Sequence, residues 1–179
     1  MKITNTNIPD VKIIEPKVFE DDRGWFYEVF NKKKLEKSLN RDIEFVQENL
    51  SKSEGEVIRG LHYQIKYTQA KLVRAVVGSI FDVAVDIRRD SPTFGKHVTV
   101  ELTSANHKML WIPEGFAHGF LTMTKYTKVA YLATEYYAPN YDRVIRWDDP
   151  DINIGWPYID PIVSNRDMKG LQLRKAELF

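Results

Sequence analysis

The sequence contains no cysteine. That excludes a disulfide scaffold, a thiolate metal site and a cysteine nucleophile. No uninterrupted apolar run approaches the length of a membrane span, and Met1-Lys2-Ile3-Thr4-Asn5-Thr6-Asn7 lacks an apolar signal core. No membrane partner is expected, and the expected compartment is the cytoplasm. The net charge is +1, which gives neither the basic excess of a nucleic-acid binder nor the acidic excess of a cation store. Linkers, internal repeats and low-complexity segments are missing. What is present, 179 residues with 28% charged and 43% hydrophobic side chains, suits a single domain spanning 1–179 with a sizeable core.

The middle of the chain shows no long 3.6-residue periodicity and instead carries short alternating runs, many of them separated by Gly and Pro turns. Val11 to Val18 is extended and interrupted by Pro16, as at a sheet edge. After a turn at Glu20-Asp21-Asp22-Arg23-Gly24, Trp25 to Phe30 forms an aromatic-rich strand. Asn31 can cap a short helix, Lys32 to Leu39. Phe45 to Leu50 is expected as a strand with Gln47 and Asn49 on one face, followed by a polar turn, Ser51 to Glu56. Lys71 to Val77 and Ile80 to Ile87 are predicted to pair as a hairpin across Gly78-Ser79. His97 to Leu102, Met109 to Ile112, Phe116 to Thr122 and Thr127 to Tyr136 are further strands. The irregular tail holds a short helix within Asp167 to Phe179. Short strands at this spacing predict an all-β sandwich or barrel.

The chain is organised around Arg59-Gly60-Leu61-His62-Tyr63-Gln64, inside an alternating run from Val57 to Gln64. Strict alternation puts Ile58, Gly60, His62 and Gln64 on one face and Arg59 on the other. Histidine titrates near neutrality and is a natural general base. Gly60 beside it leaves room for a ligand to approach the backbone. Lys71, in a later strand, points opposite to Arg74. A lysine aimed into a barrel is costly unless it meets an anion, so a solvated lysine stays open as the alternative. Tyr131 fits either a site or a core, and Asp167 either a site or a helix cap. His107 reads as a turn residue, and His97 has no evident partner.

Pro113-Glu114-Gly115-Phe116-Ala117-His118-Gly119-Phe120 resembles the second motif of the cupin superfamily, with the His62 region in place of the first. Metal-binding cupins present two histidines one residue apart, plus a glutamate. Here the position two after His62 is Gln64, and no third ligand is evident, so a cupin barrel without its metal site is expected.

Larger motifs then occur in order. They are Phe19-Glu20-Asp21-Asp22-Arg23-Gly24, Phe45-Val46-Gln47-Glu48-Asn49, the central hexapeptide, and Gln69-Ala70-Lys71-Leu72-Val73-Arg74. The His118 segment, Tyr136-Tyr137-Ala138-Pro139, Ile145-Arg146-Trp147-Asp148-Asp149-Pro150, Trp156-Pro157 and the Asp167 segment follow. Together they closely resemble the dTDP-4-dehydrorhamnose 3,5-epimerase family. The resemblance implies a metal-free cupin-type jelly roll without cofactor, assembled as a homodimer with N-terminal strands exchanged. It implies a dTDP-linked 4-dehydro-6-deoxy sugar as substrate. His62 is then the base, with Asp167 orienting it, Lys71 stabilises the enolate, and Tyr131 returns a proton from the opposite face. Arg59, Gln47, Asn49 and His118 match positions lining the substrate and diphosphate pocket. Arg23, Phe19, Phe26 and Glu28 match positions that meet the nucleotide, partly from the neighbouring subunit. Tyr137 matches an aromatic near the thymine, and Lys169 a basic position near the diphosphate. The Asp167 segment departs slightly, reading Ser-Asn-Arg-Asp where Ser-Glu-Lys-Asp or Ser-Asp-Lys-Asp is usual. The competing readings are a relative that inverts one carbon only, a non-catalytic cupin that binds a sugar nucleotide, and a metal cupin such as a dioxygenase.

Overall fold

The short alternating runs build fourteen strands in the computed structural model, which describes residues 1–158 and 160–179. In chain order these are β1 (Lys2–Asn5), β2 (Lys12–Glu15), β3 (Val18–Asp21), β4 (Gly24–Tyr27), helix α1 (Lys32–Leu39), β5 (Gln47–Glu54), β6 (Val57–Gln64) and β7 (Lys71–Val77). Then come β8 (Ser79–Asp86), β9 (His97–Thr103), β10 (Met109–Ile112), β11 (Phe116–Thr122), β12 (Tyr126–Ala133), β13 (Asp142–Val144), β14 (Ile162–Val163) and helix α2 (Asn165–Met168).

Two sheets face each other. The first runs β1-β2-β10-β7-β12-β5 and the second β13-β6-β11-β8-β9, with β14 also paired to β6. Strands β3 and β4 form a separate two-stranded ribbon. Between the sheets lies an apolar layer that includes Val73, Ile80, Ala84, Leu102, Leu110, Phe120 and Val129. A second layer, with Leu61, Val83, Ala117, Ile145 and Leu173, packs the C-terminal tail against the second sheet. A third, with Ile14, Leu35, Leu72 and Trp111, packs α1 against the first. Covering both faces leaves every residue of β10 and β11 buried, and explains why β10 reads as an unbroken apolar run rather than an alternating one.

Strand existence was legible, but one pairing was not. β7 and β8 do not form the expected hairpin. β7 pairs with β10 and β12, and β8 with β9 and β11, so the chain crosses from one sheet to the other at Gly78. Gly78 has φ +76°, and a Cβ there would collide with Thr124 Oγ1 and the Tyr126 carbonyl. Alternation is the same for strands that pair and strands that face across a core, which is why the pattern misled.

Several boundaries also differ. β5 extends through Glu54, where a turn was expected, because every residue of it pairs with β12. The aromatic strand stops at Tyr27, and Glu28 instead accepts hydrogen bonds from Asn31 and Lys34 at the start of α1. β1, absent from the expected strand set, pairs with β2. The predicted helix cap holds: Asn31 Oδ1 accepts from the Lys34 backbone N–H at 3.0 Å.

Candidate active site

A cleft of about 610 Å³ opens between the sheets, a volume suited to a small-molecule site. His62 and Arg59 enter it from β6, His118 from β11, Lys71 from β7 and Tyr131 from β12, with Asp167 and Arg166 from α2 at its rim.

Strict alternation had separated Arg59 from His62, and the structure corrects this. Opposite β11, His62 pairs with His118 and Arg59 with Phe120, so Gly60 and Leu61 together oppose Gly119. This bulge resets the alternation and turns both side chains into the cleft. Gly60 itself serves the strands rather than a ligand. Its φ is +130°, and a Cβ there would lie 2.5 Å from Gly119 Cα and 2.8 Å from the His118 carbonyl. Arg59 is steadied by Ser53 Oγ at 3.1 Å and the Lys52 carbonyl at 3.2 Å.

Asp167 is not the helix cap. Ser164 is, accepting from the Asp167 backbone N–H at 3.1 Å. The Asp167 carboxylate is thereby free to face inward and is buried. Its Oδ1 lies 2.8 Å from His62 Nε2, and its Oδ2 accepts from the Gly60 N–H at 3.2 Å. Burial pushes the Asp167 carboxyl up, but the hydrogen bond and charge of His62, helped by Gly60 N–H and Arg166, hold it below the usual carboxylate range. With Nε2 donating to Asp167, the free lone pair of His62 is on Nδ1.

Lys71 is not solvated. It is 8% exposed, and burial pushes its ammonium down to about 8, against the pull of Asp142 and Asp82. Its Nζ lies 5.6 Å from the centre of the Tyr131 ring. Burial, and next the charge of Asp142, raise the Tyr131 phenol, so it keeps its proton at neutral pH.

Gln47 and Asn49 share the inward face of β5 with Ser51 and Ser53, which line the cleft. Gln47 Nε2 donates to Asn49 Oδ1 at 3.1 Å, and Gln47 Oε1 accepts from the Tyr137 backbone N–H at 2.9 Å. Gln64 turns away: its Nε2 donates to the Tyr67 and Tyr136 carbonyls, and its Oε1 accepts from the Ala138 N–H. Within this one chain, Phe19, Arg23 and Phe26 stand on the β3–β4 ribbon, around a separate surface groove. Glu28 is engaged with α1, Tyr137 donates to Asp142 at 2.9 Å, and Lys169 is exposed at the end of α2. None of these six is among the residues lining the cleft.

Two residues near the cleft escaped the sequence reading. Asp82, on β8, is fully buried with its Oδ1 2.8 Å from His118 Nε2. Arg166 reaches Asp142 at 2.5 Å from α2. Asp82 alternates with Ile80 and Ala84, and that was a usable signal. Asp86 continues the same pattern, however, and only anchors Arg88, Ser91 and Thr93.

An imidazole lone pair on one sheet and a phenol on the other, with an ammonium beside the phenol, can take a proton from one side of a bound molecule and return it on the opposite side. On a jelly roll that is the arrangement of a cupin-fold epimerase. The chain belongs to the dTDP-4-dehydrorhamnose 3,5-epimerase family, whose model matches residues 5–175. A curated member from Shigella flexneri is 51% identical over 180 residues, covering 100% of this chain and 99% of that one. The solved dTDP-6-deoxy-D-glucose-3,5-epimerase of Legionella pneumophila, in complex with dTDP-4-keto-L-rhamnose, superposes with a TM-score of 0.96. It is 45% identical, and the match covers 98% of this chain and 94% of that one. A 3′-monoepimerase from Streptomyces bikiniensis, solved with dTDP-quinovose, is more distant, at 31% identity and TM-score 0.89 over 95% of this chain and 87% of that one. The cupin-type jelly roll expected from the sequence is the fold observed.

Proposed function

We propose that this enzyme inverts C3 and C5 of dTDP-4-dehydro-6-deoxy-D-glucose to give dTDP-4-dehydro-L-rhamnose, the epimerisation step of dTDP-L-rhamnose formation, in one domain spanning 1–179. The C4 ketone acidifies the hydrogens on both neighbouring carbons, so each inversion passes through an enolate and the chemistry asks for no cofactor. His62 Nδ1 removes the proton, and Asp167 holds the imidazole and offsets the charge it acquires. The Lys71 ammonium stabilises the developing oxyanion at C4. Tyr131 returns a proton to the opposite face. Arg59, Gln47 and Asn49 serve the nucleotide diphosphate side, where a guanidinium and amides suit phosphate oxygens.

The observation that most supports this reading is that His62 and the Lys71–Tyr131 pair line one cleft from opposing sheets. The higher identity to 3,5-epimerases than to the 3′-monoepimerase favours double inversion. The remaining binding roles are proposed for a homodimer, in which Phe19, Arg23, Phe26 and Glu28 reach a neighbouring subunit's nucleotide, while Tyr137 and Lys169 border the chain's own. The test is to run the 4-dehydro-6-deoxy sugar nucleotide in heavy water and locate deuterium by NMR. Label at both C3 and C5 is expected. Label confined to C3 would assign a single epimerase, and none above the buffer control would end the proposal.

A further inference from the structure

The cleft holds a second histidine–carboxylate pair that these proton transfers leave unused. Asp82 Oδ1 lies 2.8 Å from His118 Nε2, both side chains are buried, and His118 stands in direct register with His62 on the neighbouring strand. Asp82 Oδ2 is buried without a hydrogen-bond partner among the described residues, so His118 is the one group that this carboxylate holds by hydrogen bond. A carboxylate accepts, so the contact puts the imidazole proton on Nε2 and leaves Nδ1 with its lone pair. The titratable groups that reach His118 are Asp82 from β8, Lys71 from β7 and His62 from β6. Burial dominates and pushes the imidazole below its ordinary value, Asp82 opposes this, and Lys71 and His62 add to it. The ring is therefore neutral at neutral pH. A neutral lone pair repels phosphate oxygens and accepts from a hydroxyl.

We infer that Asp82 is a positioning residue: by holding His118 Nε2 it makes His118 Nδ1 an acceptor for a hydroxyl of the hexose ring, not a contact for the diphosphate. The inference rests on the sugar-nucleotide reading above, and it moves His118 from the diphosphate end of the pocket to the sugar end. Asp82 touches no reacting atom and acts only through His118.

The test uses Asp82→Leu, which is close in size and removes the acceptor. Nε2–H would then be buried and unsatisfied, so the proton should move to Nδ1, where the cleft offers water. In 15N-histidine NMR, with the signal assigned through His118→Asn, the wild type should show the Nε2–H tautomer and the variant Nδ1–H. Binding is measured for dTDP and for dTDP-6-deoxyglucose, an unreactive sugar nucleotide that keeps ring hydroxyls. The variant should lose about tenfold in affinity for the sugar nucleotide and keep its affinity for dTDP. An unchanged tautomer, or equal loss for both ligands, would overturn the inference. If the variant does not fold, the wild type decides. The His118 Nδ1 resonance should shift with dTDP-6-deoxyglucose and not with dTDP, and an Nδ1–H tautomer or an equal response to both overturns it. A wild type that binds neither ligand would sink the sugar-nucleotide reading and the hydroxyl contact together, while the tautomer would still report on Asp82.

Discussion

The Lys71 ammonium nitrogen lies 5.6 Å from the centre of the Tyr131 ring, and both belong to the sheet facing the one that carries His62. A molecule between the sheets would thus have a base on one side and an acid with a cation on the other. The barrel wall supplies the two-sidedness that inversion needs, without a moving part.

Asp167→Asn is expected to invert the tautomer of His62. The Gly60 N–H bonds one Asp167 oxygen, so in the variant the amide oxygen must stay there and the NH2 is turned onto His62 Nε2. The proton then sits on Nδ1, where the lone pair is needed. Turnover should fall by at least ~100-fold with the fold retained. The depressed carboxyl of wild-type Asp167 gives stability that is full above the unfolded carboxylate range and fades as pH falls through the folded value. Melting curves should show that acid-side dependence weakened in the variant. Normal turnover would return Asp167 to a structural role.

How far the sequence reached depends on the kind of information each element carries. Strand β6, β7, β10 and β11 boundaries were legible because side-chain alternation and apolar runs are local properties. The β7–β8 hairpin was misread because partner choice is a property of the barrel, and Gly78 serves a sheet crossing as well as a tight turn. Arg59 was put on the wrong face because a one-residue bulge is invisible to a period-two count. His62, Lys71 and Tyr131, which the structure brings to one cleft, were singled out through resemblance, since each alone is as common in a core or on a surface as in a site. Asp82 was missed because its pattern is identical to that of Asp86, a loop anchor. Only the neighbours, His118 in one case and Arg88 in the other, separate the two.

Lys71→Met should abolish most activity and make the protein more stable. Burial pushes the ammonium from 10.5 down to about 8, a cost on the order of 3 kcal/mol for the charged form at neutral pH. A thioether of similar length removes that cost and fills the space. Loss of the oxyanion cation should lower turnover by at least ~100-fold. The pH dependence has a definite sign. Between about 8 and the unfolded value, the unfolded chain binds more protons, so wild-type stability should rise with pH across that window and the variant's should not. A destabilised variant, or one with the same alkaline rise, would show that burial of Lys71 is not the source of strain.

The β3–β4 ribbon leaves Phe19, Trp25 and Phe26 at 53%, 58% and 71% exposure, and β5 stands at the outer edge of its sheet, unpaired on that side among the described residues. Such surfaces are expected to be covered. A homodimer is predicted, with twice the chain mass of 20.9 kDa in light scattering at micromolar concentration. If Arg23 serves the neighbouring subunit, co-expressed Arg23→Ala and His62→Asn chains form heterodimers in which one site is intact. Roughly a quarter of wild-type activity should then return, from random pairing under two-fold symmetry. A monomer with full activity, or no complementation, would argue that the ribbon serves no second site.

Tyr131→Phe separates proton removal from inversion. The phenol is held protonated by burial and by Asp142, so at neutral pH it is a donor and not a second base. Phenylalanine keeps the ring against Lys71 and removes only the O–H. His62 can still take a proton from the substrate, and without a donor on the far side it can only return one to the face it came from. Solvent deuterium should therefore still enter the sugar with configuration retained, at a rate within about tenfold of wild type, while inversion falls by at least ~100-fold. The two rates are read from one sample, exchange by mass and inversion by NMR coupling constants. If exchange and inversion fall together, Tyr131 supports the fold of the site or the binding of substrate instead. If inversion proceeds normally, another group or a water on that side returns the proton, and the acid must be sought elsewhere on the first sheet.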